Sequence, residues 1–210
     1  GYNNYNSQYL ERNKYIVELK STNFLGADHI VSVEAQFGED DKYELHSARY
    51  TAPLSPDSEI GGYYIHVYQA LGRSMGDLKI RGSGDIVSLY SSRKFIDSNN
   101  FTMRASTGFE YKDICNDALD RPLSEDNIRI AKLGLDVDIK DRLYGRTIVT
   151  HEFDLGIEDI LGGLAEKDPL SSRSGTGGKF FRTVTNVARI QSLPWSMSLM
   201  LRGAMQLTAY

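Results

Sequence analysis

His29, His46, His66 and His151, the single cysteine Cys115, and the aspartates Asp136 and Asp138 are the residues whose types could carry chemistry. A metal site needs histidines, cysteines or carboxylates at ligand spacing. No His-x-x-x-His pair and no Cys/His cluster occurs, so no metal site is expected. One cysteine can form neither an intramolecular disulfide nor a four-cysteine zinc site. On a strand, Asp136 and Asp138 would share one face about 7 Å apart, which suits a cation or an acid/base pair. Lys132 and Lys140 flank them on that face, however, so the four charges read as a solvated, balanced wall. Glu152 and Asp154 repeat the pattern further on. Ser174-Gly175-Thr176-Gly177-Gly178-Lys179 has the look of a phosphate loop. Arg173 stands where its first glycine belongs, Phe180 replaces the magnesium-binding hydroxyl, and a strand rather than a helix should follow. Gly82-Ser83-Gly84 lacks the helix N-terminus that would hold a pyrophosphate. Both are expected to be loop glycines. The sequence shows no enzyme active site, and no cofactor is expected.

The elements that would position these residues follow from composition and pattern. At 210 residues, with 40% hydrophobic and 25% charged side chains and 13 tyrosines, the chain is expected to be one ordered folding unit spanning 1–210. A net charge of -4 and a pI near 5.6 argue against a nucleic-acid partner. No apolar run reaches the roughly eighteen residues of a spanning helix, a test that a membrane barrel does not have to pass. Gly1-Tyr2-Asn3-Asn4-Tyr5 lacks the basic and apolar regions of a signal peptide, so an export signal is expected to be removed or to lie outside this segment.

Period-two alternation recurs along the chain. Phe101, Met103, Ala105, Thr107, Phe109 and Tyr111 alternate with Thr102, Arg104, Ser106, Gly108, Glu110 and Lys112. Ala131, Leu133, Leu135, Val137 and Ile139 alternate with Lys132, Gly134, Asp136, Asp138 and Lys140, where a one-residue slip would turn four charges to the apolar side. The same reading is applied to Val31–Phe37, Tyr63–Val67, Val149–Ile157 and Trp195–Ala209, with His151 on the apolar parity, either near a headgroup boundary or out of register. Strands are expected at 12–22, 28–38, 42–53, 59–71, 82–95, 99–112, 126–140, 145–157, 179–191 and 195–209. Soluble strands average about 5 or 6 residues, whereas a tilted bilayer crossing takes about 9 to 11, so these lengths favour a membrane barrel. Tight turns at 23–27, 54–58, 97–98, 141–144 and 192–194 are expected to alternate with longer connections at 72–81, 113–125 and 158–178, with 39–41 brief. Short periplasmic turns and longer outer loops have that asymmetry. The first clear strand should then run toward the periplasm.

Four fragments go further. They are Asn23-Phe24-Leu25-Gly26-Ala27-Asp28, Ser47-Ala48-Arg49-Tyr50-Thr51-Ala52-Pro53-Leu54, Asp141-Arg142-Leu143-Tyr144-Gly145, and Asp168-Pro169-Leu170-Ser171-Ser172-Arg173-Ser174-Gly175 followed by Gly178-Lys179-Phe180. Together they resemble the barrel of the outer-membrane transporters of two-partner secretion, the exporters of haemolysins and filamentous adhesins. The resemblance implies an all-β fold: an antiparallel up-and-down transmembrane β-barrel, here about ten or eleven strands of roughly sixteen. The family's periplasmic domains, its closing strands and its Val-Arg-Gly-Tyr loop are not seen in the sequence. The chain is therefore expected to be partial, since an unclosed barrel would leave backbone edges unpaired in lipid.

By the resemblance, the function would be passage of an unfolded exoprotein from the periplasm to the surface of a Gram-negative cell. The partners would be outer-membrane lipid, the exoprotein and further envelope subunits. Glu34, Gln36, Arg104, Glu110, Lys132, Asp136, Asp138, Glu152, Asp154 and Arg202 are the candidate lumen-facing residues. Trp195, Tyr63, Tyr50, Tyr90, Phe95 and Tyr144 lie near expected strand ends, where amphipathic rings suit a membrane interface. Competing readings are a barrel that inserts other proteins into the membrane, a structural barrel subunit of an envelope complex, and a soluble β-sandwich.

Overall fold

A computed structural model of the chain describes residues 2–3, 13–26, 28–38, 42–165, 168–172 and 177–209. Its strands are β1 (Tyr2–Asn3), β2 (Lys14–Phe24), β3 (His29–Gly38), β4 (Tyr43–Ser55), β5 (Ser58–Ala70), β6 (Arg81–Asp97), β7 (Phe101–Ala118), β8 (Arg121–Lys140), β9 (Gly145–Gly156), β10 (Phe180–Leu193) and β11 (Met197–Ala209). They form one antiparallel sheet in which each strand pairs with its neighbours in the chain, from β1 to β11. All ten expected strands are present, with ends displaced by a few residues. The short β1 pairs Tyr2 with Tyr15 and Asn3 with Lys14.

Burial is inverted relative to a soluble domain. Leu133 is 55% exposed while Glu110 is 7% exposed, and Leu19, Leu155, Leu201 and Leu207 are exposed as Leu133 is. Water would penalise such a surface heavily, at about 25 cal/mol per Å² of apolar area, whereas hydrocarbon would not. The Leu133–Ile139 row therefore lies outside the sheet, and Lys132 lies on the face opposite to it.

The connection at 113–125 is not a loop. β7 and β8 run on and are joined at Leu119 and Asp120, whose φ values of 54° and 59° belong to a tight hairpin turn. Beyond Tyr111 the outward positions become Asp113, Cys115 and Asp117. The apolar alternation stops there although backbone pairing continues, and a reading by hydrophobic period sees a loop. Gly82 and Gly84 likewise lie inside β6 rather than in a loop. The 72–81 connection holds a short 3-10 turn at Arg73–Leu78.

The long connection between β9 and β10 is, in its described residues, fastened to the free edge of β8. β9 pairs with β8 only as far as Gly156 opposite Ile130. Past that point the edge is met by Ile157 N donating to Arg129 O at 2.8 Å, Leu164 N to Asn127 O at 2.7 Å, and Glu125 N to Leu170 O at 2.8 Å. Unpaired strand backbone is thus satisfied by the loop. Arg129 locks the arrangement. It is 1% exposed, donates from Nε and Nη2 to Leu161 O at 3.1 and 2.9 Å and from Nη1 to Asp113 Oδ1 at 2.8 Å, and its guanidinium carbon lies 3.3 Å from the Tyr111 ring centre.

Candidate functional site: the polar wall

The register places Glu34, Gln36, Arg104, Glu110, Lys132, Asp136, Asp138, Glu152, Asp154 and Arg202 on one face of the sheet. A strand's side chains alternate with period two, so pairings such as Gly108↔Lys132, Lys132↔Asp154 and Arg182↔Asp154 carry one parity from strand to strand. Side chains on this face reach across an intervening strand. Tyr63 Oη donates to Glu110 Oε2 at 2.7 Å, from β5 to β7, and Arg104 Nη1 lies 3.2 Å from Glu59 Oε1. Thr51 Oγ1 and Tyr90 Oη are 2.8 Å apart, from β4 to β6. Such reach belongs to the concave side of a curled sheet.

At the centre of the wall the charges are paired. Lys132 Nζ lies 3.2 Å from Glu110 Oε2, and Arg182 Nε donates to Asp154 Oδ2 at 2.7 Å with Glu152 Oε1 3.7 Å away. Asp154 is fully buried. Towards the short turns, Arg146 Nε donates to Asp138 Oδ1 at 3.0 Å. Asp136 stands opposite Arg104 in the β7–β8 register. Gln36 donates to Glu34 and accepts from Tyr43 Oη at 3.1 Å. Arg202 lies opposite Ala188 on β11, apart from the central pairs. The sequence reading missed Arg182, Arg146 and Glu59, the partners of its own candidates. Arg146 sits on the polar parity of its strand with Glu152 and Asp154, a signal the sequence carries. On β10 Val184, Ala188 and Ile190 share the face of Arg182 while Thr183, Thr185, Arg189 and Gln191 hold the other, so no polar parity marks it; Glu59 lies on a strand whose parity the sequence pattern assigns to the wrong face.

That strand is β5. Tyr63, Ile65 and Val67 share the face of Glu110, because Tyr63 pairs with Ser88 and Ser88 with Glu110; they are not outward-facing. Tyr63 and Tyr90 are accordingly inward residues rather than interface aromatics. Tyr90 also lies across Gly61, where a Cβ would meet the Tyr90 hydroxyl at 2.5 Å, so only glycine admits the ring. Tyr50 remains outward, bonded to His29 Nδ1 at 2.6 Å, and Tyr144 and Trp195 project from turns. His151 keeps its outward position: Thr185 Oγ1 lies 2.7 Å from Nδ1 and Thr183 Oγ1 3.1 Å from Nε2, with the Phe153 ring 4.2 Å away. Both ring nitrogens thereby have hydrogen-bond partners within the sheet.

Among the described residues no group of three or more His, Cys, Asp or Glu side chains is arranged to hold a metal ion. Residues 174–176 of the glycine-rich segment lie outside the described residues. A cavity of about 380 Å³ opens on the polar face near the long loop, lined by Glu110, Lys112, Asp126, Ile128, Phe180 and Arg182 among others.

Comparison with solved structures places this arrangement. CdiB from Escherichia coli, a two-partner secretion transporter, superposes with a TM-score of 0.81 over 99% of this chain. The fold is that of CdiB. Sequence identity is 15%, and the match spans 39% of the CdiB chain, so the likeness is one of fold over part of a longer barrel protein. No family model and no curated protein matches the sequence. Within a CdiB-like sheet the Asp141 turn gains a local explanation. Asp141 Oδ1 accepts from Leu143 N at 2.9 Å and Gly145 N at 3.0 Å, while its Oδ2 meets Arg189 Nη2 at 2.7 Å. The Arg189 guanidinium, with the Gly145 and Leu143 amides, holds the Asp141 carboxyl below the usual carboxylate range.

Proposed function

We propose that this chain contributes to an outer-membrane pore of a Gram-negative bacterium that passes an unfolded exoprotein from the periplasm to the cell surface. The observation that carries this reading is the inversion of the sheet: exposed apolar side chains on one face, ion-paired polar side chains on the concave other, in the fold of CdiB. The ten candidate residues are then lumen residues. A lining whose positive and negative groups are matched presents little net field to an extended polypeptide, so it solvates many sequences without holding any of them. Nothing in this mechanism calls for catalysis or a cofactor. The short turns face the periplasm and the long β9–β10 loop the exterior.

The test is single-channel recording and secretion with the complete protein carrying Asp136→Ala and Asp138→Ala. Removing two carboxylates from one wall is expected to change conductance and to lower the cation preference. Conductance, selectivity and secretion all equal to those of the parent protein would remove these residues from the lumen.

A further inference from the structure

The two faces of the sheet exchange character partway along the strands. Beyond Tyr111, towards the long loop, the outward register row reads His46, His66, Asp85 and Asp113, and the next row out holds Glu44 and Glu125. The concave face at these levels is aliphatic. Ile65, Ile86 and Ile128 stand in one row with Lys112, and Leu45, Val67 and Ile114 stand in the next. Val67 and Ile114 both lean over Gly84 of β6, where a Cβ would come within 3.3 Å of Val67 Cγ1 and 3.8 Å of Ile114 Cγ1. These side chains therefore form a continuous floor across β4 to β8, in the outer part of a concave surface that is ion-paired further in.

Apolar surface left in water is unfavourable in proportion to its area, so a floor of this kind is a surface for apolar side chains. At its β8 end the chain itself supplies one. Leu164 is 6% exposed and shares with Ile128, Ile130 and Phe180 the lining of the 380 Å³ cavity. Leu164 N donating to Asn127 O at 2.7 Å and Gly178 N donating to Leu164 O at 2.9 Å hold it there. An irregular segment thus seats an aliphatic side chain on the floor. From β4 to β7, Leu45, Ile65, Val67, Ile86 and Ile114 are only half-buried. Lipid and a second barrel would meet the convex side of the wall, so neither is the occupant of this one. Polypeptide moving along the lumen does meet it. Lys112 adds a charge requirement. It lines the same cavity and, among the described residues, forms no ion pair, whereas Glu110 on the same face is paired with Lys132. A carboxylate is its complement.

We propose that this floor is an exit cradle for the exported chain, taking extended segments with aliphatic side chains on Ile65, Val67, Ile86 and Ile114 and a carboxylate beside Lys112. The proposal rests on the pore reading above and names the sequence feature that the pore holds. The complete protein is recorded as single channels in planar bilayers. A peptide alternating leucine with serine and aspartate is added on the long-loop side, and in a parallel recording the same peptide with serine at every leucine. Blockades by the leucine peptide are expected to last about tenfold longer than those by the serine peptide. Ile65→Thr combined with Ile86→Thr should remove most of that difference, and Lys112→Gln should shorten the leucine-peptide blockades about threefold. Channel opening by each variant shows that it has assembled. Blockades of the parent channel that are absent, or equally long with the two peptides, would overturn the cradle without recourse to a variant and leave the pore reading standing. Blockades left unaltered by the isoleucine pair or by Lys112→Gln would also overturn it, showing the floor covered by the protein's own chain. A complete protein that opens no channel would overturn the pore reading and the cradle together.

Discussion

Replacing Arg182 with methionine tests the wall where it is most tightly built. Asp154 is fully buried and its Oδ2 receives Arg182 Nε at 2.7 Å. Removing one member of a buried ion pair leaves an uncompensated charge, which typically costs about 3–5 kcal/mol. Two features put this case at the low end. The Arg182 side chain is 36% exposed, so water already screens part of the interaction, and Lys132 is the register partner of Asp154 on its other side. The expected loss for Arg182→Met is about 3 kcal/mol, roughly a hundredfold in the unfolding equilibrium. Arg182→Met combined with Asp154→Asn removes both charges and should return to within about 1 kcal/mol of the parent. Equilibrium urea unfolding of the complete protein in phospholipid vesicles, followed by intrinsic fluorescence, measures both. A single variant within about 1 kcal/mol of the parent, or a double variant as weak as the single one, would refute the argument that a buried carboxylate here depends on its arginine.

Two further perturbations have defined outcomes. Asp141 has a carboxyl pKa lowered by Arg189 and the Gly145 amide. Its contribution to stability is therefore complete above the ordinary carboxylate value and is lost as pH falls through the lowered one. The denaturation midpoint of the parent should drop more between neutral and acid pH than that of Asp141→Asn, and equal drops would contradict the assignment. Arg129→Lys loses the forked donation to Leu161 O and Asp113 and the stacking on Tyr111. Limited proteolysis within 157–165 should speed up about tenfold as the loop lifts from β8, and an unchanged cleavage rate would show that the backbone bonds alone hold it.

The fold was legible wherever one side of a strand is apolar and the other polar. β7 and β8 state their faces plainly from Phe101 to Tyr111 and from Ala131 to Ile139, and once one face is known the antiparallel register transmits it to every neighbour. The pattern failed for two physical reasons. Past Tyr111 the outward side turns polar at Asp113 and Cys115 while the inner side mixes Lys112, Ile114 and Asn116, so the hydrophobic period that marks the strand is lost although the backbone pairing continues. On β5 the opposite problem arises: Tyr63, Ile65 and Val67 alternate with Tyr64, His66 and Tyr68, so both sides offer large side chains and only the pairing with Ser88 and Gly84 decides between them. Partners within the wall were illegible for a third reason. The bond between Arg182 and Asp154 joins residues 28 positions apart, and nothing local to either one names the other.

Since neighbours in space are neighbours along the polypeptide throughout this sheet, no segment has to be threaded over or under another. Any two consecutive strands with their connecting turn form a cassette that could be excised or duplicated, leaving two seams to be rejoined by ordinary backbone pairing. The circumference of a ring built in this way can change in whole-hairpin increments during descent or in the laboratory. The bore becomes a countable quantity, and the rest of the wall does not have to be rewired.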